Sequence, residues 1–382
     1  MIVQKGRIPN SNHQIWLVLD DDYQPIEPIM AYLRYLANLE KSPNTIRGYA
    51  YNLKLYWEFL NSHHLDWSSI KLEQLADFIH WLRNPQPPGV IPLRPQISKR
   101  SPKTINQALN TVLMFYDFHL QLGKISGITT HGDRQPIGSK FKPFLHHISK
   151  GRAVKTRLLK IKEPKTFPDC LTTEQIQELI SGCQRIRDKF LICLLYETGM
   201  RIGEILGLRH EDIRSQGINA IHVTPRTDNL NHSRTKNGKH RVIHVSQDLL
   251  KLYSNYLIEE YPDDIDCDFV FVNCWDGKIG QPLHYSSVNG LFNRLEKKTG
   301  IKATPHLFRH THATELIRAE WDMAYVQKRL GHSNIQTTIN TYVHLTEEDL
   351  RNEYDKYLAT KEHNHATPEQ TRSIVNTSES DR

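Results

Sequence analysis

The stretch TPHLFRHTHATEL, Thr304 to Leu316, organises the reading of the whole chain. His306 and Arg309 stand at i and i+3, so on a helix they share one face. Two donors on one face can grip an oxyanion through charge-assisted hydrogen bonds. A metal reading competes, because His306 and His310 at i and i+4 are spaced like the two histidines of an H-E-x-x-H zinc helix. That helix needs a glutamate directly after its first histidine, and here the position is Leu307. The oxyanion reading leads, and the segments on either side test it.

Upstream, GMRIGEILGL places Arg201 three residues before Glu204, a pattern that taken alone describes a surface pair. SRTKNGKHRVIHV puts Lys236 beside the turn signal Asn237-Gly238. Downstream, LGHSNIQTTINTY adds His332 and Tyr342. Tyr325 precedes that string, and Tyr354 and Tyr357 belong to an amphipathic helix, TEEDLRNEYDKYL, so only Tyr342 follows the others in order. Arg, Lys, H-x-x-R, His and Tyr in this sequence resemble the tyrosine recombinase, or phage integrase, family over most of residues 169–358, on its transposase-like or integrated-element branch.

The resemblance implies a site-specific recombinase that cuts and rejoins DNA through a 3′-phosphotyrosyl intermediate. Tyrosine is a weak nucleophile at neutral pH, with an unperturbed pKa of about 10, and a phosphodiester repels attack. Arg201 and Arg309 would hold the non-bridging oxygens, His306 would share the Tyr342 proton, and His332 would donate to the phosphate. Lys236 would protonate the leaving 5′-oxygen, with Lys239 as the rival for that role, and Glu204 would brace the helix carrying Arg201. The covalent intermediate conserves bond energy, so no cofactor or metal is implied. The partners implied are double-stranded DNA recombination sites and three further copies of the chain, as a homotetramer on paired sites. A type IB topoisomerase-like relaxation uses the same chemistry, and a catalytically inactive DNA-binding factor could use the same fold.

Around the site, four helical periodicities run from Glu27 to Gly123: PIMAYLRYLANL, NTIRGYAYNLKLYWEFL, KLEQLADFIHWL and KTINQALNTVLMFYDFHLQL, with Asn44 and Ser101 as candidate N-caps. Thr172 and Gln175 form a capping box, Gly199 suits a helix C-terminus, and NAIHV, HRVIHV and FVFV read as strands. The expected fold is mostly α with a small antiparallel β-sheet: an all-α core-binding domain plus a mixed α+β tyrosine-recombinase catalytic domain. The expected divisions are an arm over 1–25, the core-binding domain over 26–124, a basic linker over 125–168, the catalytic domain over 169–358 and a disordered polar tail over 359–382.

Charge is concentrated in that linker. Between Lys140 and Lys165 nine lysines and arginines face one acid, Glu163, so nearly all of the formal excess of +7 lies there. Lys140, Lys142, Lys150, Arg152, Lys155 and Arg157 are the candidate phosphate contacts. The five cysteines contain no C-x-x-C pair and read as reduced thiols. With no apolar run of membrane length and no signal-like opening, the expected location is the cytoplasm, with no membrane partner.

The arginines, the lysine and the histidines carry the positive charge that a divalent ion would otherwise supply. Cleavage of target DNA should therefore proceed in EDTA. Complete loss on chelation, with recovery on adding a divalent cation, would contradict the assignment.

Overall fold

The computed structural model describes residues 1–7, 14–85, 98–126, 131–134, 154–164, 170–215, 217–226, 229–231, 233, 240–263, 265–275, 277–331, 351, 354–355 and 358. The chain divides into two compact units, Met1–Lys165 and Thr166–Arg382. Among the described residues no helix is long and apolar enough to cross a membrane.

The first unit is built on four helices, α1 (Glu27–Asn38), α2 (Pro43–Ser62), α3 (Leu72–Arg83) and α4 (Pro102–Gln121). Their inner faces bury Tyr32, Tyr56, Phe59, Phe78, Phe115 and Tyr116, an aromatic core packed largely edge to face. Ser101 caps α4 as expected, its hydroxyl accepting from the Thr104 N–H at 3.2 Å. The cap of α2 is Ser42, which accepts from Thr45 N–H at 3.1 Å, and not Asn44. Pro43 takes the first helical position and so moves the cap ahead of it.

Two segments expected to lie outside this bundle are part of it. The opening residues form a hairpin of β1 (Ile2–Arg7) and β2 (Gln14–Leu19), paired from Ile2↔Leu19 to Arg7↔Gln14. Alternation along β2 turns Trp16 and Val18 to one side, where Val18 is fully buried with the helices, so this is no free arm. In the basic segment, β3 (His131–Arg134) pairs antiparallel with β4 (Val154–Arg157), and Leu159 and Ile161 pack on the same core. Asn106 on α4 imitates a strand partner: its amide donates to the Ile161 carbonyl and its Oδ1 accepts from the Ile161 N–H, both at 2.8 Å. The basic composition of this stretch hid the two apolar residues that tie it down.

The second unit runs α5 (Thr173–Gly182), α6 (Ile186–Thr198), α7 (Ile202–Ile205), β5 (Ile213–Arg214), β6 (Ala220–Val223), β7 (Arg241–His244), α8 (Gln247–Glu259), α9 (Tyr285–Thr299), α10 (Pro305–Arg318) and α11 (Met323–Leu330). The Thr172–Gln175 capping box starts α5, and Gly199 ends α6 in the left-handed region at φ +59°. α6 packs against α5, α8 and α10 and buries residues around its whole circumference. The sheet is antiparallel in the order β5-β6-β7, with Ile221 opposite Ile243.

The third strand is therefore Ile213–Arg214, not the FVFV run at 269–272. That run is extended and wholly interior, but it bonds to irregular chain on either side: Val270 N–H to Leu208 O at 3.0 Å and Leu283 N–H to Phe271 O at 2.8 Å. Four apolar residues in a row satisfy burial on both faces, which a strand of this small sheet does not require. Cys183 is the buried thiol, and the other four cysteines are half-buried.

α10 and α11 meet α6 around His312. A side chain at position 199 would stand 2.6 Å from the His312 ring, so only glycine both adopts this turn and leaves room. His312 Nε2 accepts from Arg329 Nε at 3.1 Å. Burial, followed by the charge of Arg329, pushes the imidazole down to about 3, and the ring is a neutral acceptor. The unfolded chain binds a proton here below its ordinary value of 6.5 while the folded chain does not, so stability rises with pH between about 3 and 6.5. In urea unfolding, His312→Gln, which keeps a neutral acceptor, should flatten the fall in stability from pH 6.5 toward pH 4.5 relative to the wild type; an unchanged slope would mean that His312 titrates normally.

Candidate active site

The centre of the second unit is a carboxylate. After the Gly199 turn the chain delivers Arg201 as the residue preceding α7, and one turn later Glu204 points inward with no side-chain exposure. Glu204 Oε2 accepts from the Arg201 backbone N–H at 2.9 Å and Oε1 from Arg201 NH1 at 3.0 Å. Arg241, at the start of β7, donates to both oxygens, NH2 to Oε2 at 2.7 Å and NH1 to Oε1 at 3.2 Å. Burial by itself would raise the Glu204 carboxyl; the hydrogen bonds and charges of Arg241 and Arg201 outweigh it and hold the group below its ordinary value. The carboxylate is thus ionised and locks two guanidinium planes.

The same guanidiniums reach the end of α11. A helix leaves its last carbonyls without intrahelical donors, and its C-terminus carries partial negative charge. Here arginines fill that gap. Arg241 Nε donates to Arg329 O at 2.9 Å, and Arg309 NH2 to Leu330 O at 2.7 Å. Arg201 NH2 donates to Gly331 O at 3.2 Å, and its NH1 to Leu330 O at 3.5 Å. Arg309, on α10, also reaches back to Gly199 O at 2.8 Å. Gly331 closes α11 at φ +66°, and a Cβ there would lie 2.9 Å from Arg241 NH1, so the glycine of the L-G-H string is required twice over.

Among the residues singled out from the sequence, Arg201, Glu204 and Arg309 are brought together at this helix end. His306 lies one turn before Arg309 on α10 and is exposed, while Arg309 itself is buried. Thr304 caps this helix, accepting from Leu307 N–H at 3.2 Å, with Pro305 at the first position. Lys236, Lys239, His332 and Tyr342 lie outside the described residues, as do Lys140, Lys142, Lys150 and Arg152. Lys155 sits in β4 opposite Asp133, and Arg157 donates to the Asn110 side chain and, at 3.2 Å, to its carbonyl. Of the C-terminal helix expected over 346–358, Arg351, Tyr354, Asp355 and Leu358 are described, and all four are helical. Among the described residues no group of three or more His, Cys, Asp or Glu is placed to hold a metal ion.

Arg241, Arg329 and Gly331 escaped the sequence reading. Arg241 had a signal: in HRVIHV it shares the inward side of the strand with Ile243, and a charge on an inward face demands a buried partner. Arg329 had none, because its carbonyl partners Glu197 and His244, at 2.9 and 3.3 Å, come from distant parts of the chain.

Comparison with known proteins agrees with this arrangement. The Phage integrase family matches residues 169–349, and the N-terminal SAM-like domain of phage integrases matches residues 29–123. Transposase A from transposon Tn554 of Staphylococcus aureus is 46% identical over 363 residues, covering 95% of this chain and 99% of its own length. Tyrosine recombinase XerA of Saccharolobus solfataricus is 34% identical over 185 residues, 48% of this chain and 55% of the relative. Among solved structures, the Tn1549 transposon integrase in complex with a circular intermediate DNA shares the fold with a TM-score of 0.60 at 20% identity, covering 86% of this chain and 98% of that one. With a transposase relative matched along nearly the whole of both chains, the chain belongs to the phage integrase family of tyrosine site-specific recombinases, on its transposase-like branch.

Proposed function

We propose that the chain moves a mobile element by cutting and rejoining double-stranded DNA at recombination sites, with Tyr342 as the nucleophile. One observation carries this reading: Arg201 and Arg309 meet at the Leu330 carbonyl, directly ahead of the L-G-H string in which His332 follows. Guanidiniums fixed before substrate arrives lose no reorganisation energy when a phosphate binds, and charge preorganised in this way supplies much of the stabilisation of many transition states. The Tyr342 oxygen would bond to phosphorus as the bond to the 5′-oxygen breaks. Arg201 and Arg309 would hold the non-bridging oxygens with His332, His306 would take up the tyrosine proton, and Lys236 would give a proton to the departing 5′-oxygen.

Exchange between two duplexes needs four nucleophiles and each chain offers one, so the working assembly is a homotetramer on paired sites, with the helix at 346–358 docked on a neighbour. The basic residues Lys140, Lys142, Lys150, Arg152, Lys155 and Arg157 would add contacts to the phosphate backbone, and the protein would act in the cytoplasm, on DNA. The solved complex of the Tn1549 integrase with circular intermediate DNA supports a DNA partner, as does the λ integrase dimer bound to a COC′ core site, which shares the fold at a TM-score of 0.55 and 14% identity. The Tn554 relative supports an element that transposes.

Tyr342→Phe should retain specific DNA binding and lose the covalent protein–DNA adduct on denaturing gels; an adduct that persists places the nucleophile elsewhere. Lys236→Ala should slow cleavage of ordinary DNA by about 10²–10⁴-fold, the range for a lost general acid. A substrate with a 5′-bridging sulfur, whose thiolate leaves without a proton, should restore it. Rescue of Lys239→Ala in its stead would move the acid three residues along the turn.

A further inference from the structure

The connection from β6 to β7, residues 224–240, is long for a compact domain, yet it is not loosely hung. Asn229, Asn231 and Ser233 are each buried, at 7% exposure. The Asn231 side-chain amide donates to two carbonyls of the body of the unit, Leu206 at 2.8 Å and Leu283 at 3.0 Å. Its Oδ1 accepts from the Ser233 N–H at 3.1 Å, closing a tight turn. Asn229 Nδ2 donates to Ser233 O at 3.0 Å, and Asn229 Oδ1 accepts from Arg209 NH2 at 3.1 Å. Gly207 leaves room for this turn: a Cβ there would stand 3.0 Å from Asn229 Nδ2 and 3.1 Å from Ser233 Oγ.

The turn docks on the residues that directly follow α7, and at its other end the connection is held by Arg241, clamped to Glu204 of that same α7. Lys236 stands midway in sequence between Asn231 and Arg241. Both anchors of the Lys236 segment are therefore attached to the short element that presents Arg201. Pinning a chain close to its working group shortens the tether and raises the effective concentration of that group at the reaction centre.

We infer that Asn231 is a positioning residue for the general acid, holding the Lys236-bearing loop on the α7 segment so that the acid and Arg201 act on one phosphate. The inference rests on the reading of Lys236 as the general acid. A buried asparagine with three hydrogen bonds would also be expected of a purely structural tie, so the test must separate lost acid delivery from lost folding. The 5′-bridging sulfur substrate does so, because its leaving group needs no proton.

The experiment measures cleavage of ordinary and sulfur-bridged DNA by Asn231→Ala, Asn231→Asp, Gly207→Ala, Lys236→Ala and Arg201→Ala in the full-length chain. Asn231→Ala and Asn231→Asp, the latter unable to donate to either carbonyl, should slow ordinary DNA by about tenfold to a hundredfold, as expected for a misplaced catalytic group. The sulfur substrate should return both close to the wild-type rate, with no such return for Arg201→Ala. Gly207→Ala keeps every donor and only displaces the turn, and it should show the same selective rescue; it decides the matter if the Asn231 variants fail a thermal-melting control. Equal slowing on both substrates, or no slowing at all, while Lys236→Ala is rescued would overturn the positioning role and leave Lys236 as the acid. If Lys236→Ala is itself not rescued, the assignment of Lys236 falls first and the inference goes with it.

Discussion

The carboxylate of Glu204 has no exposure to water, and a charge in that situation must be answered at close range, because an ion left unpaired in the interior costs several kcal/mol. Arg201 answers from the turn before α7 and Arg241 from the first position of β7. Each guanidinium has more donors than one carboxylate can accept, and the surplus is directed to the exposed peptide groups at the end of α11. Arg309 completes the set from α10 and returns to the carbonyl of Gly199. One buried anion and one helix terminus thus tie together α6, α7, β7, α10 and α11, elements drawn from more than a hundred residues of chain.

This arrangement explains why the local motifs looked so ordinary one at a time. R-x-x-E within one turn is a common surface pair, and here the same spacing is a buried clamp because Arg241 arrives from elsewhere to balance the charge. H-x-x-R was legible as a shared helical face, and in the fold His306 is exposed while Arg309 is buried and seated on α11. The motif order along the chain held the information that no single motif did.

Helix periodicities, the Thr172 capping box, the Gly199 terminus and two of the three strands of the sheet were readable because each depends on contacts within a few residues. What escaped depends on partners far away in sequence. The FVFV run had the right composition for a strand, but its neighbours turned out to be loop segments around Leu208 and Leu283. The opening hairpin and the residues around Ile161 looked peripheral from charge and length, and both are held by α2 or α4 through single well-placed residues such as Val18 and Asn106. Ser42 displaced Asn44 as a cap through one intervening proline.

The Glu204 clamp also governs what an inactive mutant of this protein means. Removing one member of a buried charge pair costs about 3–5 kcal/mol, against a total stability of about 5–15 kcal/mol for an ordinary domain. An alanine scan would therefore score Glu204 and Arg241 as indispensable for activity, alongside any residue that touches the scissile phosphate, while the loss at these two positions would come from a depleted folded population. Soluble yield and protease resistance, recorded beside turnover, would sort the two groups. In a library built to redirect the enzyme to new sites, positions 199, 204, 241 and 331 belong to the frame and are best kept as they are.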